Sequence, residues 1–246
     1  MIRSRILPWV LALLLPMTAA GQYFSTGQDP ASIRWKQLTT PGSRLIFPES
    51  FEARGRYLAG LTELVRDNPS VSLEAKVPRI PWIIHPYSSV SNGVTVWAPR
   101  RIELFPVPPD QSYPEEWLEQ LVLHEYRHAV QISSVNRRFS GFLGYLFGEQ
   151  IIGGILGLYV PAWFLEGDAT VMETALSHTG RGRSPLFEST LRTQLLEKGI
   201  YSYDKATLGS YRTFIPDAYS LGYYIVAQSR AKYGARTFQA AFDRIA

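Results

Sequence analysis

The chain contains no cysteine. That excludes disulfides, thiolate metal ligands and thiol nucleophiles, so stability must come from a packed core, helped by a bound metal if there is one. Charge of one sign is also scarce. The formal net charge is +4, and two of the 25 basic residues, Arg3 and Arg5, lie in a segment read as removable. No Lys/Arg stripe interleaved with aromatics stands out, so the reading includes no nucleic-acid partner. No apolar run reaches the length of a bilayer span. Ile6 to Leu15 is the length of a signal-peptide core, with Arg3 and Arg5 before it and Thr18, Ala19, Ala20 and Gly21 after it. The expectation is export and cleavage after Ala20 or Gly21, leaving the protein in the periplasm, at the outer membrane or outside the cell. No Cys stands at the processing site, which excludes a bacterial lipid anchor.

The rest is ordinary for a folded protein: 46% hydrophobic, 19% charged, 246 residues in all. Residues 22–246 read as one domain. Short β-type runs fall at Ile33–Leu38, Arg44–Phe47, Ile80–His85, Val94–Trp97 and Arg101–Phe105. Pro41-Gly42 and Asn92-Gly93 are turn signals. Phe51, Leu58, Leu61, Leu64 and Val65 recur at helical spacing, predicting a helix over Ser50–Arg66 that Pro69 stops. From Ser112 on, the pattern is helical. Ser112 and Glu115 have capping-box spacing. A strand-rich first half and a helical second half predict an α+β fold. The chain reaches Ala246 inside an apolar helical pattern, which favours the front part of a longer polypeptide.

Residues 124–128 read His-Glu-Tyr-Arg-His. Positions four apart lie nearly above one another on a helix, so both imidazoles can reach one ion. Trp117, Leu121, His124 and His128 share one stripe. Neutral imidazole suits zinc, and a Glu beside the ion can take a proton from water. A catalytic zinc needs a third protein ligand, and Glu166 in Pro-Ala-Trp-Phe-Leu-Glu-Gly-Asp-Ala is the candidate. Gly167 would let its helix approach the first one closely.

His-Glu-x-x-His followed by Trp-x-x-Glu-Gly-x-Ala resembles the gluzincin superfamily, and within it aminopeptidase-N-like peptidases of the MA clan. The likeness covers roughly residues 80 to 240. It implies a zincin-like fold, with a small twisted sheet and active-site helix in a first lobe and helices in a second. It implies one Zn2+ held by His124, His128 and Glu166, with Glu125 as the base. Tyr219-Ser220-Leu221-Gly222 is similar to the family's Tyr-x-x-Gly segment, implying that Tyr219 stabilises the tetrahedral intermediate; the plainer alternative is a core tyrosine. The interval from His128 to Glu166 is longer than in aminopeptidase-like members. The family's Gly-x-Met-Glu-Asn segment has no counterpart, since Ser91 to Val96 carries no acidic residue, so free-amine specificity is not implied. Main-chain pairing with an extended peptide remains open to that strand. Related proteins place such a domain ahead of a β-propeller.

The function read from these residues is a zinc-dependent metallopeptidase acting on peptide or protein substrates. The competing reading is a non-catalytic envelope binding or assembly module with a zinc-stabilised peptidase fold. Intact Glu125 favours the enzyme, because a structural site needs no base. Among other residues, His85 reads as structural, His178 as surface, and 179–183 as a basic surface loop. Arg127 reads as an ion-pair partner. Glu173 shares a helix face with Glu166 and is either a support for a ligand or, more simply, a surface charge. Gly141 to Val160 is apolar and glycine-rich, broken by Glu149-Gln150. It predicts a buried helical hairpin, with membrane or partner contact as the alternative.

Overall fold

The computed structural model describes residues 29–66, 72–109 and 116–246. The export segment, the Pro69 stop and the Ser112–Glu115 capping box lie outside these residues. The five predicted strands are present as β1 (Trp35–Thr39), β2 (Ser43–Pro48), β3 (Ile80–Ile84), β4 (Asn92–Trp97) and β5 (Arg100–Phe105). They form one mixed sheet in the order β1-β2-β3-β5-β4. The inner pairs β2–β3 and β3–β5 are parallel, and the outer pairs β1–β2 and β4–β5 are antiparallel. Parallel neighbours need a crossover, and helix α1 (Glu52–Val65) supplies it between β2 and β3.

The inner strands are rich in β-branched and aromatic residues and bury Leu45, Ile80, Trp82, Ile84, Ile102 and Leu104. Against them packs helix α2 (Trp117–Val135), which is buried along almost its whole length. The Trp82 and Tyr126 rings stack at 6.2 Å across this contact. Beyond α2 lies the helical half: α3 (Arg138–Phe147), α4 (Glu149–Tyr159), α5 (Ala162–Leu176), α6 (Pro185–Lys198), α7 (Tyr203–Leu208), α8 (Ala218–Tyr233) and α9 (Gln239–Ile245). The fold is α+β as predicted, with α2 between sheet and helices.

Two expectations are corrected here. Asn92-Gly93 is not the hairpin turn. Both residues lie in β4, paired with Phe105 and Leu104, and the chain reverses at Ala98-Pro99. The glycine serves a close approach instead: a Cβ at Gly93 would sit 2.7 Å from Glu125 Oε1. Second, Gly141 to Val160 is a hairpin but not a buried one. Helices α3 and α4 meet at Gly148, whose φ of 85° favours a residue without a side chain. Ile152, Gly153 and Leu156 face inward, while Phe142, Tyr145, Leu146, Phe147, Leu158 and Tyr159 are exposed. None of the described helices is long and apolar enough to cross a membrane.

Candidate metal centre

Helix α2 presents His124 and His128 one turn apart, and α5 brings Glu166 against them. Their ligand atoms converge. His124 Nε2 lies 3.2 Å from His128 Nε2 and 3.2 Å from Glu166 Oε2, and His128 Nε2 lies 3.5 Å from Glu166 Oε2. A tetrahedral ion with N and O ligands at about 2.0–2.2 Å needs those atoms roughly 3.3–3.5 Å apart. The triangle therefore fits one face of a zinc tetrahedron. Two nitrogens and one carboxylate oxygen form a donor set that zinc accepts. Among the described residues, this is the group whose side chains could hold a metal ion.

Each imidazole is oriented from behind. His128 Nδ1 donates to Gln131 Oε1 at 2.8 Å. Gln131 is itself held, because its Nε2 donates to Leu165 O at 3.0 Å and to Asp168 Oδ2 at 2.7 Å. His124 Nδ1 lies 3.0 Å from Glu173 Oε2. Arg181 Nη2 lies 2.9 Å from the same Nδ1, and the two partners fix the ring with Nε2 toward Glu166 and His128. Glu173 is fully buried and bound by Arg181, at 2.6 Å from Nε and 2.8 Å from Nη2. The surface-charge reading of Glu173 is thus replaced by the supporting one. The loop at 179–183 is likewise no simple basic surface: Arg181 turns inward at 15% exposure to close this contact. Two adjacent buried groups of opposite charge offset each other's desolvation, which neither achieves alone.

Glu125 is buried with its carboxylate beside the triangle. Thr95 Oγ1, from β4, donates to Glu125 Oε2 at 2.8 Å and lies 2.9 Å from the Glu125 carbonyl. Tyr219 also reaches the site. Its ring lies 6.0 Å from that of His124, with the Arg181 guanidinium 5.1 Å from its centre. Burial, then the Glu166 charge, pushes its phenol well above the ordinary value, so it is a proton donor at neutral pH.

Glycines set that placement. A Cβ at Gly167 would lie 2.1 Å from the backbone of Gly222, and one at Gly222 would lie 1.9 Å from Trp163 O. The close approach that Gly167 permits is therefore to α8, not to α2. Gly222 stands one turn after Tyr219, so this crossing seats the phenol over the ligands.

His85 and His178 lie outside the site. His85 Nδ1 pairs with Asp29 at 2.6 Å and its ring stacks on Phe105, while His178 is exposed. The cleft above the triangle, about 230 Å³, is lined by Gly93, Thr95 and Trp97 of β4 on one side and by Leu165, Glu166 and Tyr219 on the other. Gln131, Thr95 and Arg181 were not legible as site residues. Only the spacing of Gln131, one turn beyond His128, gives a hint.

Without metal, burial works against a charge on His128, but the Glu166 hydrogen bond and charge, together with Glu125, outweigh it and raise its pKa to about 9. Zinc takes neutral imidazole. Burial likewise opposes a charge on His124, but its hydrogen bonds to Glu166 and Glu173 raise its pKa too. A metal bound at pH 7 would therefore displace protons and bind more tightly as pH rises, by roughly tenfold per pH unit for each imidazole that must lose one. Titration calorimetry at pH 7 in buffers of different ionisation enthalpy should show release of at least one proton per zinc. A binding heat independent of the buffer would contradict this.

No protein-family model and no curated protein matches the chain. Among solved structures it is similar to the crystal structure of an aminopeptidase N family protein from Idiomarina loihiensis, at 15% identity and a TM-score of 0.43. The similarity covers 87% of this chain and 41% of that one, so the chain spans less than half the length of that protein.

Proposed function

We propose that the chain is an exported zinc-dependent peptidase that hydrolyses peptide bonds. The observation that carries this reading is the triangle of His124, His128 and Glu166 with the Glu125 carboxylate pinned beside it by Thr95. A closed structural site would use a fourth protein ligand and would need no carboxylate aligned next to it.

A zinc ion, when bound, supplies Lewis-acid activation of water and of the substrate carbonyl. The chain's own groups do the rest. Glu125 accepts a proton at its carboxylate and passes it to the departing amine. Thr95 orients that carboxylate. Tyr219 donates a hydrogen bond to the oxygen on which negative charge develops. An extended peptide would pair with β4, which stands at the end of the sheet order beside the cleft. Export is supported by the basic, apolar and small-residue sequence of residues 3–21.

The test is a digest of a broad peptide library with mass readout, run on protein of known zinc content. Cleavage by the zinc-loaded chain, abolished by a chelator and restored by zinc, is the expected result. Stoichiometric zinc without cleavage of any peptide would replace the enzyme by a zinc-stabilised binding module.

A further inference from the structure

The long interval between the ligand motifs is filled by the α3–α4 hairpin, and the inner side of that hairpin forms part of the cleft. Trp97 of β4 rests on α4 at Gly153, where a Cβ would lie 2.0 Å from Trp97 Nε1. Leu156, one turn along α4, lines the cleft with Trp97, with Ile132 one turn beyond His128 on α2, and with Leu165 next to Glu166. These four side chains supply most of the apolar lining of the cleft. From Phe139 to Leu165 the chain carries a single charged residue, Glu149, and it is held by Arg100 at 3.1 Å. Among the described residues no Lys, Arg or Asp lines the cleft, and the two glutamates that do belong to the candidate metal centre. A charged substrate side chain set against the apolar lining would be desolvated, while an apolar one would gain contacts.

We infer that the α3–α4 hairpin is the specificity element of this site: Leu156, with Trp97, selects an unbranched or γ-branched apolar side chain next to the scissile bond. The inference rests on the peptidase reading for the identity of its ligand. Leu156 is buried and lines the cleft, so the size of the residue there sets the space left beside Trp97. One methylene more or less in such a pocket changes selection on the order of tenfold.

The test uses the full chain, zinc-loaded, with N-acetylated hydroxamates of leucine, phenylalanine, alanine and aspartate as probes. Affinity is read by calorimetry, so no turnover is needed. The leucine probe should bind at least about tenfold tighter than the aspartate probe. Leu156→Phe should fill the space beside Trp97, lower leucine-probe affinity about tenfold and move the preference to alanine. Leu156→Ala should deepen it and move the preference toward phenylalanine. Zinc content and melting temperature check that each variant is folded, and Leu156→Ala carries the test alone if Leu156→Phe does not fold. The decisive quantity is the rank order of the probes, which a general loss of stability would leave unchanged. Equal binding of the leucine and aspartate probes, or an unaltered ranking in a folded variant, overturns the inference. The same proteins are then given the peptide library. Probes ranked by side chain with no peptide cleaved would leave the pocket standing and remove the peptidase reading. Cleavage without apolar preference would do the reverse.

Discussion

Replacing Glu125 by Gln is expected to lower peptide turnover by at least a hundredfold while zinc stays at about one ion per chain. Glu125 follows the ligand His124, so on α2 it points about 100° away from that imidazole. The structure keeps it off the ligand triangle: Oε2 takes the Thr95 hydroxyl at 2.8 Å, and the bare backbone of Gly93 leaves room for Oε1. Gln has the same shape and can still meet Thr95, so the cleft should be preserved. What it lacks is a carboxylate able to hold a proton, and that is the whole content of the change. Glu166→Gln is the contrasting variant. It replaces an anionic ligand by a neutral one, so zinc affinity should fall first and activity with it. Zinc content and hydrolysis of one cleaved peptide, measured on both variants, separate the two roles. A Glu125→Gln protein that turns over at the unmodified rate would sink the assignment of the base.

The largest effect on stability is expected at Asp168, next to Gly167 and two residues past the third ligand. Its carboxylate is fully buried between Arg127, with Nε at 2.7 Å from Oδ2, and Arg230, which bonds Oδ1. Gln131 donates to Oδ2 at 2.7 Å, and Ser72 accepts from both arginines at 2.8 and 3.0 Å. One carboxylate thus joins α2, α5 and α8 and also steadies the glutamine that holds His128. Burial alone would favour its neutral form, but the two guanidinium groups hold its pKa below the ordinary value. Asp168→Ala removes the carboxylate that lies between two buried guanidinium groups, and removing one partner of such a network costs about 3–5 kcal/mol. For a chain of this size that is roughly a 10 °C fall in melting temperature. Thermal unfolding of the metal-free protein measures it directly, and a fall under about 2 °C would contradict the account. Because the folded pKa is depressed, this stabilisation is present above the ordinary value of 3.8 and is lost as pH falls below it.

Substituting all three of Arg127, Asp168 and Arg230 by apolar residues would test a different point. Removing these three charges removes their own desolvation cost as well, so such a variant should be less damaged than Asp168→Ala alone. The ion pair expected for Arg127 from the sequence is therefore present. Its partner, and the fact that the partner also reaches the candidate metal site through Gln131, needed the fold.

Local pattern determined much of this protein by itself. Alternation and turn residues located five strands to within a few residues, since a strand's period shows directly in its side chains. The i, i+4 pair in α2 carried the two imidazoles for the same reason, because one helix sets their separation without help from the rest of the chain. Glu166 was legible only through its motif, as nothing local ties α5 to α2. What the tertiary structure decided is everything that depends on two elements meeting. Gly93 reads as a turn residue on its own, yet it pairs with Leu104 inside β4, where Glu125 occupies the space a side chain would need. Gly167 reads as a means for α5 to approach α2, but it is α8 that fits there. Arg181 and Glu173 read as solvated charges until they are buried on each other behind His124. Glycine and charge have several uses each, and a sequence window cannot choose among them. The choice is made by the atom that stands opposite, and that atom comes from a distant part of the chain.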